Sequence, residues 1–199
     1  VDSSASAKQK KQEGNYFDSF IGMDFFYDKR NQKYQTTSGF FSNYSVNMPV
    51  ISDTNTLTNT YNYKIFKELY ENNVSTFSFL FKSSNSLSGE DIKLSERLYI
   101  PGKRLRGFEA GKIGPKDGSD YVGGNYVSSI NATTTIPLIL ENVQSVDVVM
   151  FADAANIWGV DYDSSLDKNG IRSSVGIGID WLTAVGPLTF SFTHPITKE

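Results

Sequence analysis

The sequence predicts an all-β protein, an antiparallel β-barrel wall of the kind that crosses a membrane. Three observations carry that prediction. Apolar and polar residues alternate with a period of two over eight segments, the mark of strands with one apolar face. Each segment runs to about ten residues, close to the ~9–11 of a tilted membrane strand and longer than the ~5–6 usual in globular sheets. The connections between them divide into a longer and a shorter set on opposite rims, as bacterial barrels require.

The strands follow in chain order. Phe17, Ile21, Met23, Phe25 and Tyr27 face away from Asp18, Gly22, Asp24 and Asp28. Phe40, Tyr44, Val46 and Met48 then oppose Asn43, Ser45 and Asn47, and Tyr61, Tyr63, Ile65 and Leu69 oppose Asn62, Lys64 and Glu68. In 74–83, Phe77, Phe79 and Phe81 alternate with Ser78, Leu80 and Lys82. In 122–136, Tyr126, Ile130, Ala132 and Thr134 oppose Asn125, Ser129, Asn131, Thr133 and Thr135. Val146, Val148, Met150, Ala152 and Ala154 oppose Asp147, Phe151 and Asp153. The clearest is 171–182, where Ile171, Val175, Ile177, Ile179 and Trp181, with Ser173 among them, oppose Arg172, Ser174, Gly176, Gly178 and Asp180. Leu188, Phe190 and Phe192 alternate with Thr189, Ser191 and Thr193 in 187–194.

Alternation alone also fits a soluble β-sandwich binding module, and that alternative stays open at this point. Strand length favours the barrel, as does an opposite face rich in Gly, Ser, Thr and Asn, which suits a packed or hydrated lumen. Antiparallel strands put successive connections on alternate rims. Segments 1–15, 50–57, 84–121, 159–170 and 195 onward share one rim, and 29–38, 70–73, 137–145 and 183–186 share the other. The first set holds the longest loop and the second the two tightest turns, so the first rim is expected to be external. Polar Val1–Gly14 then reads as the tail of an external loop.

No apolar run approaches the ~20 residues of a membrane helix, and mean hydropathy is −0.33. That excludes helical spans but not barrel strands, whose inner face is polar. Net charge is −3, with 19 basic and 22 acidic residues interspersed, which is not the basic field of a nucleic-acid binder. No nucleic-acid partner is expected. The chain has no cysteine and a single histidine, which excludes thiolate chemistry and argues against a histidine-rich metal site. His194, beside Pro195, reads as a turn residue rather than a catalyst. Asp161, Asp163 and Asp167 lack the central Gly and terminal Glu of a calcium loop and read as a solvated external loop. No Gly-rich phosphate loop and no nucleophile–base pair stands out, so no enzymatic activity, cofactor or metal is expected. Trp158, Trp181, Tyr61 and Tyr63 fit either an interfacial aromatic girdle or plain sheet packing.

The 84–121 connection exceeds the ~12–15 residues beyond which a loop is functional or disordered. From Arg97 to Asn125 the chain reads RLYIPGKRLRGFEAGKIGPKDGSDYVGGN, in which recurrent apolar and aromatic residues argue for a folded loop. It contains Arg106-Gly107-Phe108, Ile113-Gly114-Pro115 and Gly123-Gly124-Asn125, followed later by Gly186-Pro187-Leu188. With this ordered set on this frame of strands, the whole chain resembles the bacterial surface antigen family of outer-membrane assembly factors.

The resemblance implies a protein of the bacterial outer membrane that folds and inserts other β-barrel proteins. Its partners would be unfolded outer-membrane clients, the accessory lipoproteins of an assembly complex and outer-membrane lipid. It implies one partial barrel domain over 1–199, eight strands of a sixteen-strand barrel with the closing strand missing, and the 84–121 loop folded into the lumen. In that family the loop arginine rests on acids of the inner wall. A guanidinium inside a barrel needs such a partner, because an unpaired, partly desolvated charge is costly. Arg106, Gly107 and Phe108 carry the loop motif, and Asp153 matches one family acid; the alternation independently puts it on the inner face. The second family acid falls at Thr133 here, which leaves the arginine one carboxylate with hydroxyls, or another acid such as Asp147. Two other barrel functions are weighed beside assembly: a two-partner secretion transporter, which shares the inward loop and the Arg-Gly motif, and a diffusion porin, whose constriction loop normally lies elsewhere and lacks the Arg-Gly-Phe element.

Overall fold

A computed structural model describes residues 5–136, 145–167 and 170–197 of the chain. The long strands are β1 (Asp18–Asp28), β2 (Gly39–Ser52), β3 (Thr56–Tyr70) and β4 (Asn73–Ser86). A loop with a small hairpin, β5 (Lys116–Asp117) and β6 (Asp120–Tyr121), follows them. The sheet resumes with β7 (Tyr126–Thr135), β8 (Val146–Trp158), β9 (Arg172–Thr183) and β10 (Gly186–Pro195). All pairings are antiparallel and the order is β1-β2-β3-β4-β7-β8-β9-β10, an eight-stranded meander without crossovers. Among the described residues there is no second large sheet to pack against it, so a sandwich is excluded. β1 and β10 are open edges.

Every segment with clean alternation is a strand, but the strands outrun the pattern. β2 continues past Pro49 to Ser52 and β3 opens at Thr56, so the expected loop 50–57 is reduced to residues 53–55. Proline is tolerated there because the β1–β2 register shifts between Ser19 and Phe20, which pair with Ile51 and Pro49. The long loop spans residues 87–125 rather than 84–121, since β4 runs on to Ser86 and β7 begins at Tyr126. His194 lies inside β10, opposite Val175, and is not a turn residue. The expected turn 137–145 falls almost wholly outside the described residues.

Register explains the two faces. Ile65, Phe77, Ala132, Ala152 and Val175 are successive cross-strand neighbours from β3 to β9, forming one row of an uncovered outer face. Aromatic pairs continue that face across β1–β4: Phe25 with Tyr44, Tyr27 with Phe40, Phe40 with Tyr63, and Tyr61 with Phe79. The inner face holds buried Leu80, Ser129, Asn131, Phe151, Asp153 and Ser174. β1 is the exception, because Phe20 and Phe26 fall on the inner side beside Asp24 and remain exposed.

The principal core lies between the inner face and the long loop. Ile100, Leu105 and Ile113 of the loop pack on Val127 of β7 and on Ala155 and Ile157 of β8, with Leu98 and Phe108 at the margin. Gly114 is needed for this closeness: its φ is +104°, and a Cβ there would lie 2.5 Å from Ile157 Cγ2. Residues 5–14 dock on the loop as well. A single helical turn, α1 (Ala7–Lys10), is closed by a Ser6–Gln9 capping box, and Ser6 Oγ donates to Asp117 Oδ2 at 2.5 Å.

Candidate functional site

The loop tip is placed by Leu105, only 1% exposed, which plugs the core and throws its neighbours Arg104 and Arg106 onto the inner wall. Arg106 grips Asp153 with two parallel bonds, Nε to Oδ2 and Nη2 to Oδ1, both at 2.7 Å. Its backbone N–H adds a third, to Oδ2 at 3.1 Å. The Asp153 side chain has no exposed surface, so this fork geometry compensates a charge removed from water. Asn131, directly opposite on β7, donates Nδ2–H to Asp153 Oδ1 at 2.8 Å.

The Arg106 guanidinium also stacks 3.4 Å from the ring centroid of Phe151. That ring has room because position 176 is glycine, where a Cβ would come within 2.5 Å of it. Ser174 of β9 donates from Oγ to the Arg106 carbonyl at 2.7 Å. Gly107, with φ +85°, lies on β10, its Cβ position 2.5 Å from Thr193 Cγ2. On the other side Arg104 donates to Asn62 of β3 at 2.6 Å and to Asn131 at 3.3 Å. Burial lowers the Arg104 pKa, an effect that the Asp153 charge opposes. Four residues of loop, 104–107, thus touch strands from β3 to β10.

The structure brings Arg106 and Asp153 together, with Gly107 and Phe108 beside them, but neither Thr133 nor Asp147 is a partner of the arginine. Thr133 is on the inner face opposite Phe151, one inward position from Asn131. The residue that faces Asp153 across the ladder is Asn131, because the register pairs 131 with 153. Asp147 lies six residues along β8, about 20 Å away by strand rise, opposite Asp180. Asn131, Ser174 and Asn62 were visible in the sequence only as polar members of inner faces. Their convergence depends on register, which alternation does not encode.

A second anchor lies nearer the rim. Arg97, whose side chain has no exposed surface, forms an ion pair with Asp161 in the β8–β9 connection. It also donates to the carbonyls of Ile92 and Gly159 and lies 4.9 Å from the Tyr162 ring centroid. Asp161 further accepts from Ile92 N–H at 2.8 Å and Asn125 Nδ2 at 3.2 Å. Burial raises the Asp161 pKa, but the Ile92 amide, the Arg97 charge and the Asn125 amide outweigh it and hold it below the usual carboxylate range. The DYDSSLD segment is therefore not simply solvated: Asp161 is a latch, Asp167 accepts from Gly159 N–H, and Asp163 caps a short turn. Among the described residues no cluster suits a metal ion.

On the outer face, Trp158 stacks on Tyr126 at the loop-bearing rim and Trp181 sits near the opposite turn, whereas Tyr61 and Tyr63 lie mid-strand in β3. The tryptophans occupy girdle positions; the tyrosines pack in the sheet. An apolar outer face, a tryptophan near each rim and an inward loop pinned to a polar inner wall define the wall of an outer-membrane β-barrel.

The chain belongs to the Omp85 superfamily, whose domain model matches residues 1–199. It is 26% identical over 158 residues to the outer membrane protein assembly factor BamA of Neisseria meningitidis serogroup B, covering 62% of this chain and 20% of that protein. A SAM50-like protein of Schizosaccharomyces pombe is 30% identical over 121 residues, covering 56% of this chain and 25% of that protein. The crystal structure of BamA from Haemophilus ducreyi lacking POTRA domains 1–3 superposes with a TM-score of 0.82 at 25% identity, over 90% of this chain and 39% of that one. The chain therefore spans a fifth to a quarter of these curated relatives. It is a piece of bacterial outer-membrane barrel similar to the C-terminal part of BamA.

Proposed function

We propose that this chain is part of a factor that folds and inserts β-barrel proteins into the outer membrane. The observation that carries the reading is the loop braced on the inner wall by Arg106 and Asp153, in a chain whose bacterial relatives bear the name of assembly factors. The clients are unfolded outer-membrane proteins; accessory lipoproteins and membrane lipid complete the setting. The work is mechanical and uses no catalytic group or cofactor. The brace holds one side of the barrel rigid, so that strain concentrates at a seam elsewhere, where a client strand can pair. The test replaces Arg106 by Ala in the full-length protein and follows client barrels in the outer membrane of cells depleted of the native copy. A broad fall in correctly folded clients is expected. Normal client levels with loss of one secreted protein would mean a secretion transporter instead.

A further inference from the structure

We propose that the outer wall carries a binding site for one anionic phospholipid, in the leaflet opposite the loop-bearing rim. It rests on the outer face lying in a membrane and is independent of the assembly reading. The row Ile65–Phe77–Ala132–Ala152–Val175 runs across five strands, and its two smallest members are adjacent. Large, exposed Phe77 and Ile65 stand on one side of the two alanines and Met150 below them, so the surface dips between. The result is a groove of about 560 Å³, within the ~300–1,000 Å³ of small-molecule sites. Its floor lies behind Phe151 and Asp153, whose side chains serve the loop on the inner face.

The next row gives the groove a polar end. Lys67, Ser75 and Thr134 are successive cross-strand neighbours that line it, followed by Met150. Lys67 is exposed and forms no ion pair among the described residues. Ser75 and Thr134 share one hydrogen bond at 2.9 Å between their hydroxyls, which leaves one hydroxyl hydrogen to donate outward. Lys67 is three residues from the end of β3 at Tyr70, about 10 Å along the strand, which puts a long amine at headgroup depth. At that depth an exposed amine costs little in itself, and an anionic headgroup beside it attracts it. A phosphate on Lys67 and the two hydroxyls, with an acyl chain laid over Ala132 and Ala152, satisfies both ends of the groove at once. A zwitterionic lipid brings the same phosphate with its own cation beside it, which weakens its hold on the lysine, and lipopolysaccharide occupies the other leaflet.

The experiment uses the full-length protein in non-ionic detergent, titrated with phosphatidylglycerol or phosphatidylcholine and read by native mass spectrometry. Its fold is checked in each variant by heat-modifiable gel mobility. The native protein is expected to retain one phosphatidylglycerol in preference to phosphatidylcholine. Lys67→Glu should weaken that retention about thirtyfold, as expected when reversing a charge worth about 1 kcal/mol at a membrane surface shifts the balance by about 2 kcal/mol, and Lys67→Arg should preserve it. Ala152→Trp, or Ala132→Phe if the first does not fold, should abolish it by filling the groove. Equal retention of the two lipids, an unchanged count in Lys67→Glu, or an unchanged count in the filled variant would each overturn the site. Loss of bound lipopolysaccharide instead of phosphatidylglycerol in these variants would overturn it too.

Discussion

Asp153 keeps its charge out of water through four hydrogen bonds, two from the Arg106 side chain, one from its backbone and one from Asn131. Removing only the arginine strands a buried carboxylate, which costs about 3–5 kcal/mol where such pairs have been broken. Arg106→Ala is therefore expected to lower the temperature at which the full-length barrel loses its folded gel mobility. Adding Asp153→Asn should recover part of that loss; a double variant no better than the single one would mean that the charge is not the cause. A second comparison tests the close packing beneath the Phe151 ring. A Cβ at Gly176 would lie 2.2 Å from the Phe192 carbonyl and 2.5 Å from the Phe151 ring, whereas at Gly178 the nearest atom is 3.0 Å away, on Val149. Gly176→Ala should destabilise clearly more than Gly178→Ala, and equal melting would mean that the close approach of β10 and the Phe151 ring to Gly176 is not a constraint. At this scale the inward aspect of Asp153 was legible from alternation alone. Its pairing with Asn131 was not, although alternation put that residue on the same face, because the pairing of β7 with β8 is set by a connection whose length says nothing about register.

The loop is an element in its own right, held by the Leu98–Gly124 bridge, the core around Leu105 and the Arg97–Asp161 latch. Deleting the buried side chain in Leu105→Ala should cost about 2–5 kcal/mol. The expected readout is local: faster protease cleavage within residues 87–125 while the strands stay protected. Acid should act at the latch. The Asp161 carboxyl titrates below its ordinary value, so its contribution is complete above the ordinary pKa of about 3.9 and is lost as the pH falls toward the folded-state value. Loop cleavage in full-length protein should rise only below about pH 4, and Asp161→Asn should be cleaved readily at neutral pH with little further change in acid. All eight strands could be read from their period, but not where they ended. Nothing in the pattern marks a bulge that lets β2 continue past Pro49, and a hairpin with two residues per strand, 116–121, is too short to have a period. The Arg97–Asp161 contact was missed because both residues lie in connections, where no periodicity assigns a direction.

Among the described residues the molecule is one large sheet with an inner cover and no outer one. Its edge strands are unpaired on their far sides among the described residues, and β1 exposes Phe25 and Phe26 on opposite faces. Such a sheet in water invites further strands and apolar partners. Prepared alone and without detergent, the chain is expected to sediment as large, heterogeneous species; a single monomeric boundary would contradict that. The contact of Gly107 with Thr193 has a practical use. The chain has no cysteine, and the Gly107 Cβ position lies 3.0 Å from Thr193 Cβ, so an outward shift that also relieves the positive φ of residue 107 reaches the ~3.5–4.5 Å of a disulfide. With Cys introduced at both positions of the full-length protein, oxidation rivets the arginine-bearing tip to the edge strand and dithiothreitol frees it. A barrel that must part these two to work would stall when oxidised and restart when reduced, and one that works with them joined would run through both.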